Sequence, residues 1–233
     1  MTEAPAGGWS PRSPVSGRLI AWCVFVGALA ALGYAARFAE PDGPAADVLY
    51  KWPTAVGGTI QYLLMGGIAL AIGRPLGRDS LGFRRPESWP RAVAMIVGSL
   101  VTILAVAGIL GRFLDAGKEQ GLVPDGWDSS RAAPFAANFL VVVVAAPLVE
   151  ELVFRGVGFG LFSQVAGPAV AIAVTSLAFG LAHGLLVALP VLSLFGVVLG
   201  WLRLKTGSLY PPMILHGTFN AAALIAAVTM GST

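Results

Sequence analysis

The chain has 233 residues, 56% of them hydrophobic and only 12% charged, with a formal net charge of +3 and a mean hydropathy of +0.79. That balance excludes an ordinary soluble domain, which carries roughly 25% charged residues, and reads as an integral membrane protein. The basic excess does not point to nucleic acid, because in a polytopic chain basic residues chiefly set orientation, and the single cysteine, Cys23, excludes an intramolecular disulfide.

Taken in chain order, residues 1–17 are rich in Pro, Ser and Gly and read as a disordered tail. Three apolar spans follow at 19–36, 53–73 and 92–111, so that 18–111 forms an N-terminal unit. Gly, Pro and Asp then mark 112–133 as a surface loop. Further apolar stretches at 134–163, 167–185, 189–203 and 210–229 make 134–229 a helical core. The expected fold is all-α, a polytopic bundle of about seven transmembrane helices around an intramembrane cavity.

Orientation is read from the connectors. Residues 74–91 hold five arginines against two acids, whereas 112–131 hold three bases against four acids. The arginine-rich connector and the N-terminus are therefore expected in the cytoplasm. Trp52, Trp89, Trp127, Trp201, Tyr50 and Tyr210 fall near predicted span ends, where amphipathic rings anchor at the interface.

Within the core, the stretch VVVVAAPLVEELVFRGVGFG at 141–160 places Glu150 and Glu151 in otherwise apolar sequence. An ionisable group at the bilayer centre costs about 2.5–3.5 kcal/mol on insertion scales, so it normally has a partner or a function. The only histidines, His183 and His216, also lie in uncharged runs, and His216 has Asn220 four residues on.

Spacing relates these groups. Gly167-Pro168 suits a tight turn between antiparallel helices. Glu150 and His183 lie about equally far from it, roughly 24–26 Å at 1.5 Å per residue, so the hairpin brings them level. Phe179 and His183 share one helix face, as do His216 and Asn220. Glu151 and Arg155 are four apart in the favourable order for an ion pair, and Glu150 is rotated by about 100° from Glu151. Glu151 is accordingly assigned to Arg155 and Glu150 to the cavity. Pro147 removes a backbone donor and is expected to kink the span, freeing a carbonyl near Val143. His216 does not fit this count: measured from a turn near 206, it sits about 10 Å short of the Glu150 level.

A carboxylate beside an imidazole can take a proton from water and return it to a leaving amine. His216 and Asn220 are candidate donors to the oxyanion of a tetrahedral intermediate. Glu150, His183 and His216 are alternatively three ligands for a catalytic zinc ion, although no HExxH is present. No GxSxG supports a serine nucleophile, and no Asp falls within a predicted span. A proton-coupled transporter would use the same groups as a relay, but the sequence shows no inverted repeat.

The order Glu-Glu-x-x-x-Arg (Glu150, Glu151, Arg155), Phe-x-x-x-His (Phe179, His183) and His-x-x-x-Asn (His216, Asn220) resembles the CPBP family of intramembrane proteases. That family includes the type II CAAX prenyl endopeptidases and the lysostaphin resistance protein A-like and bacteriocin self-immunity proteins. The resemblance covers about 134–229, without departure from the motifs. It implies cleavage of a membrane-associated peptide or protein tail, with Glu150 activating water alongside His183, and His216 with Asn220 stabilising the oxyanion. Glu151, Arg155 and Phe179 support the site. Two modes of activation stay open, a Zn2+ cofactor on Glu150, His183 and His216 or a metal-free glutamate mechanism. The partners implied are the lipid bilayer and a peptide substrate, in a bacterial plasma membrane. The competing reading within the resemblance is a non-catalytic immunity or scaffold protein.

Overall fold

The structure, a computed structural model, describes residues 14–40, 45–110, 124 and 126–230. Most of the expected tail and of the 112–133 loop lies outside the described residues. The described part is helical: α1 (Pro14–Ala39), α2 (Trp52–Gly73), the short α3 (Gly77–Leu81), α4 (Trp89–Leu110), α5 (Ser129–Ala166), α6 (Pro168–Ala182), α7 (Leu189–Thr206) and α8 (Tyr210–Met230). Helix α1 begins four residues before the expected boundary, and α5 begins five residues before its own.

Six of these helices are long and apolar enough to cross a membrane, and α6, with 15 residues, is a shorter seventh. At 1.5 Å per residue α6 is about 22 Å long, less than the roughly 30 Å hydrocarbon core. Leu32, Leu63, Leu64, Val101 and Leu140, each more than 60% exposed, point outward from four different helices. In water such a surface would aggregate; facing lipid tails it costs nothing. The chain is an integral membrane protein.

Helix α5 is central. It turns through Gly167, whose φ of +83° favours glycine, into α6. α6 packs along α7 and against α1; α2 lies against α5, and α8 against α4, α5 and α7. The buried apolar centre gathers Trp22 and Val26 of α1, Val153, Phe154, Val157 and Leu161 of α5, Phe179 of α6, and Leu199 and Leu202 of α7.

The arginine-rich connector is partly structural. The Leu209 amide donates to the Gly82 carbonyl at 2.9 Å, Arg84 Nε to Gly207 O at 2.8 Å, and Ser208 Oγ to Arg84 O at 2.6 Å. Together they clamp the connector onto the α7–α8 turn. Arg203 is buried and donates to Ser80 O at 3.1 Å. Trp52, Trp89, Trp127 and Trp201 are exposed near helix ends as expected. Tyr50 differs: it is buried, stacks on Phe135 and donates to Gly126 O, so it ties a loop to α5. Asn138 of α5 completes that tie by donating to Leu49 O and Lys51 O.

Candidate functional site

The site begins in the backbone of α5. Pro147 has no N–H to give, and the helix widens to π-helical turns over Val141–Ala145 before it and Leu152–Gly158 after it. Glu150 and Glu151 sit in the α-helical turn Ala146–Glu151 between them. π-Helical insertions of this kind recur at functional sites, because they re-aim side chains and disturb the carbonyl ladder. Side chains of other helices take up carbonyls here. Asn220 Nδ2 donates to Val142 O at 2.9 Å, and Trp22 Nε1 to Val153 O at 2.8 Å. The carbonyl expected near Val143 is thus used one residue earlier, by one of the candidate site residues.

The four groups picked out as chemical candidates come together. Glu150, His183, His216 and Asn220 line one cavity of about 230 Å3, with Phe179 and Phe195 in its wall. Glu150 and His183, on the two arms of the hairpin through Gly167, both line this cavity. His216 reaches the Glu150 level because the two turns at this end of the bundle are not level. A Cβ placed on Gly156 would lie 3.4 Å from Leu209 Cδ1, so the α7–α8 turn stands beside residue 156 and α5 runs on past it. His216 is seven residues above Leu209 and Glu150 is six above Gly156. The expected shortfall of about 10 Å therefore vanishes.

Contacts fix the tautomers. His183 Nδ1 lies 2.7 Å from the Phe179 carbonyl, which can only accept, so Nδ1 carries the proton and the neutral ring keeps its lone pair on Nε2. His216 Nδ1 lies 2.9 Å from Glu151 Oε1 and likewise carries its proton there. The other ring nitrogen, Nε2, is 3.8 Å from Glu150 Oε2, too far for a direct hydrogen bond. The two adjacent carboxylates thus flank one imidazole, a link that their 100° rotation did not suggest. The amide of Asn220 gives one hydrogen to Val142 and has a second.

Beneath the cavity lies the support. Glu151 and Arg155 are fully buried and pair at 3.3 Å, as their spacing indicated. Arg155 also donates to Gly196 O at 2.9 Å, and its guanidinium lies 4.6 Å from the centroid of the Phe179 ring. Phe179 in turn meets His183 and His216 edge-on, with centroids 4.6 Å and 5.7 Å away. A chain of contacts therefore runs from Arg155 to both imidazoles.

A residue not singled out from sequence completes the set. Tyr62, in the middle of α2, donates its hydroxyl to Glu150 Oε1 at 2.9 Å. Its position was the available signal, since membrane tyrosines favour span ends and this one lies at mid-span. Glu150, His183 and His216 as placed do not make a three-ligand set. No group of three His, Cys, Asp or Glu fit to hold a metal ion occurs among the described residues.

Residues 132–222 match the family model described as type II CAAX prenyl endopeptidase, Rce1-like. No curated protein and no solved structure matches the chain. The matched segment contains all seven motif residues and excludes Tyr62 and Trp22.

Proposed function

We propose that this chain is an intramembrane endopeptidase cleaving a membrane-associated peptide or protein tail, a reading supported by the match of residues 132–222 to the type II CAAX prenyl endopeptidase Rce1-like family model. Glu150, His183, His216 and Asn220 are its catalytic groups. The observation that carries this reading is their convergence, from three helices, on one cavity.

Water entering that cavity meets two acceptors, the Glu150 carboxylate and Nε2 of His183. Glu150 takes a proton from the water as its oxygen adds to the scissile carbonyl carbon, forming a tetrahedral intermediate. The negative oxygen accepts the second amide hydrogen of Asn220 and, when His216 carries a proton on both nitrogens, a hydrogen bond from its Nε2. Collapse breaks the C–N bond, and the proton held by Glu150 passes to the leaving amine. Glu151 serves by orienting His216 through Nδ1, the arrangement by which a carboxylate commonly sets which ring nitrogen faces a reaction. Every step uses the chain's own groups. In this reading the N-terminus lies in the cytoplasm, and the substrate enters from the bilayer.

The test compares the termini of membrane proteins in cells carrying the wild-type chain or Glu150→Gln. The variant keeps the volume and removes the base, so termini produced by the wild type should disappear while the purified variant unfolds at the wild-type temperature in detergent. Identical termini in the two cells would overturn the proposal and favour a scaffold or immunity role.

A further inference from the structure

Tyr62 lies outside the family-matched segment, on a helix whose sequence is otherwise featureless, yet it makes the only side-chain hydrogen bond to Glu150 among the described residues. We propose that Tyr62 is a positioning residue that sets the orientation of the Glu150 carboxylate for reaction. This inference rests on the endopeptidase reading and deepens it.

A glutamate side chain has three rotatable torsions, the last of them broad, so a carboxylate in an open cavity would sample many orientations. The hydrogen bond from Tyr62 holds Oε1 and leaves Oε2 as the oxygen nearer His216 Nε2, 3.8 Å away. Only one carboxylate oxygen is therefore presented to the reacting water. A phenol suits the task, because it stays neutral and can donate without forming an ion pair that would neutralise the base. A lysine or arginine at this position would do the opposite.

Position supports the same role. Besides the cavity of about 230 Å3, a second one of about 540 Å3 opens between α1 and α2, lined by Leu29, Leu32, Gly33, Gln61 and Met65. Tyr62, Glu150 and His183 line both. The tyrosine ring thus stands in the partition between the two spaces, while its hydroxyl reaches the carboxylate. Ring and hydroxyl can be separated by substitution: Tyr62→Phe keeps the partition and removes only the donor.

The experiment uses full-length protein in liposomes and an internally quenched peptide spanning a cleavage site found by the terminus comparison. Tyr62→Phe should lower kcat about tenfold to a hundredfold, the equivalent of one charge-assisted hydrogen bond, with KM within about twofold of wild type. In a Glu150→Asp background, whose shorter side chain does not reach the hydroxyl, the same substitution should produce no further loss. Unchanged kcat in Tyr62→Phe, a rise in KM alone, or an equal loss in the Glu150→Asp background would each overturn the positioning role. A wild-type turnover that survives Glu150→Gln would instead overturn the endopeptidase reading itself.

Discussion

Arg155 and Glu151 form a buried ion pair beneath the cavity. Both side chains are fully buried, and Glu151 Oε1 is shared between the Arg155 guanidinium at 3.3 Å and His216 Nδ1 at 2.9 Å. Removing one partner of a buried ion pair strands the other charge and typically costs about 3–5 kcal/mol. Arg155→Met should therefore lower the unfolding temperature strongly in detergent, and Glu151→Leu combined with it should recover part of the loss. A full-size loss in the double variant would mean that the pair matters through packing rather than charge. Glu150→Gln should behave differently: it exchanges a carboxylate for an amide beside a cavity, so activity falls and stability does not. The i, i+4 spacing made the Glu151–Arg155 pair legible in the sequence, and the cost of burying a carboxylate marked Glu150. The contact between Glu151 and His216 was not legible, because 65 residues separate the two and no local rule relates them.

At the scale of elements, the length of α6 sets the site. The helix stops at Ala182, and His183 caps it, with Gly184 at φ +67° turning the chain inside the bundle. That turn is pressed onto α1: a Cβ on Gly184 would fall on the Gly33 backbone, and one on Gly33 would lie 3.2 Å from Gly184 Cα. Gly184→Ala therefore combines unfavourable φ with a clash against backbone that cannot yield locally. We expect it to lower both thermal stability and turnover, the latter because the turn carries His183; wild-type kinetics in this variant would show that α1 does not constrain the turn. Pro147 and the Gly167-Pro168 pair announced the interruptions in and after α5. The turn at Gly184 gave no comparable signal, since what demands glycine there is a helix crossing from 151 residues away.

Across the whole molecule, the half that carries the candidate site does not stand alone. Trp22 of α1 supplies a hydrogen bond to Val153 O, and its indole fills the space that a Cβ on Gly158 would occupy. Tyr62 of α2 reaches Glu150. The proposed metal-free chemistry adds an expectation at this scale: purified protein dialysed against a chelator should keep its turnover, whereas loss that zinc restores would assign water activation to the metal. Hydropathy and the positions of a few costly polar groups are properties of the linear chain, so the membrane location, the helical class and the identity of the candidate groups could all be read without a structure. Their relations could not. The depth of His216 depends on how far α5 overruns the α7–α8 turn, the cavity-facing nitrogen of each histidine depends on what its other nitrogen meets, and the hydrogen bond to Glu150 depends on how α2 is rotated. Each is an offset between helices distant in sequence, and packing in three dimensions decided it.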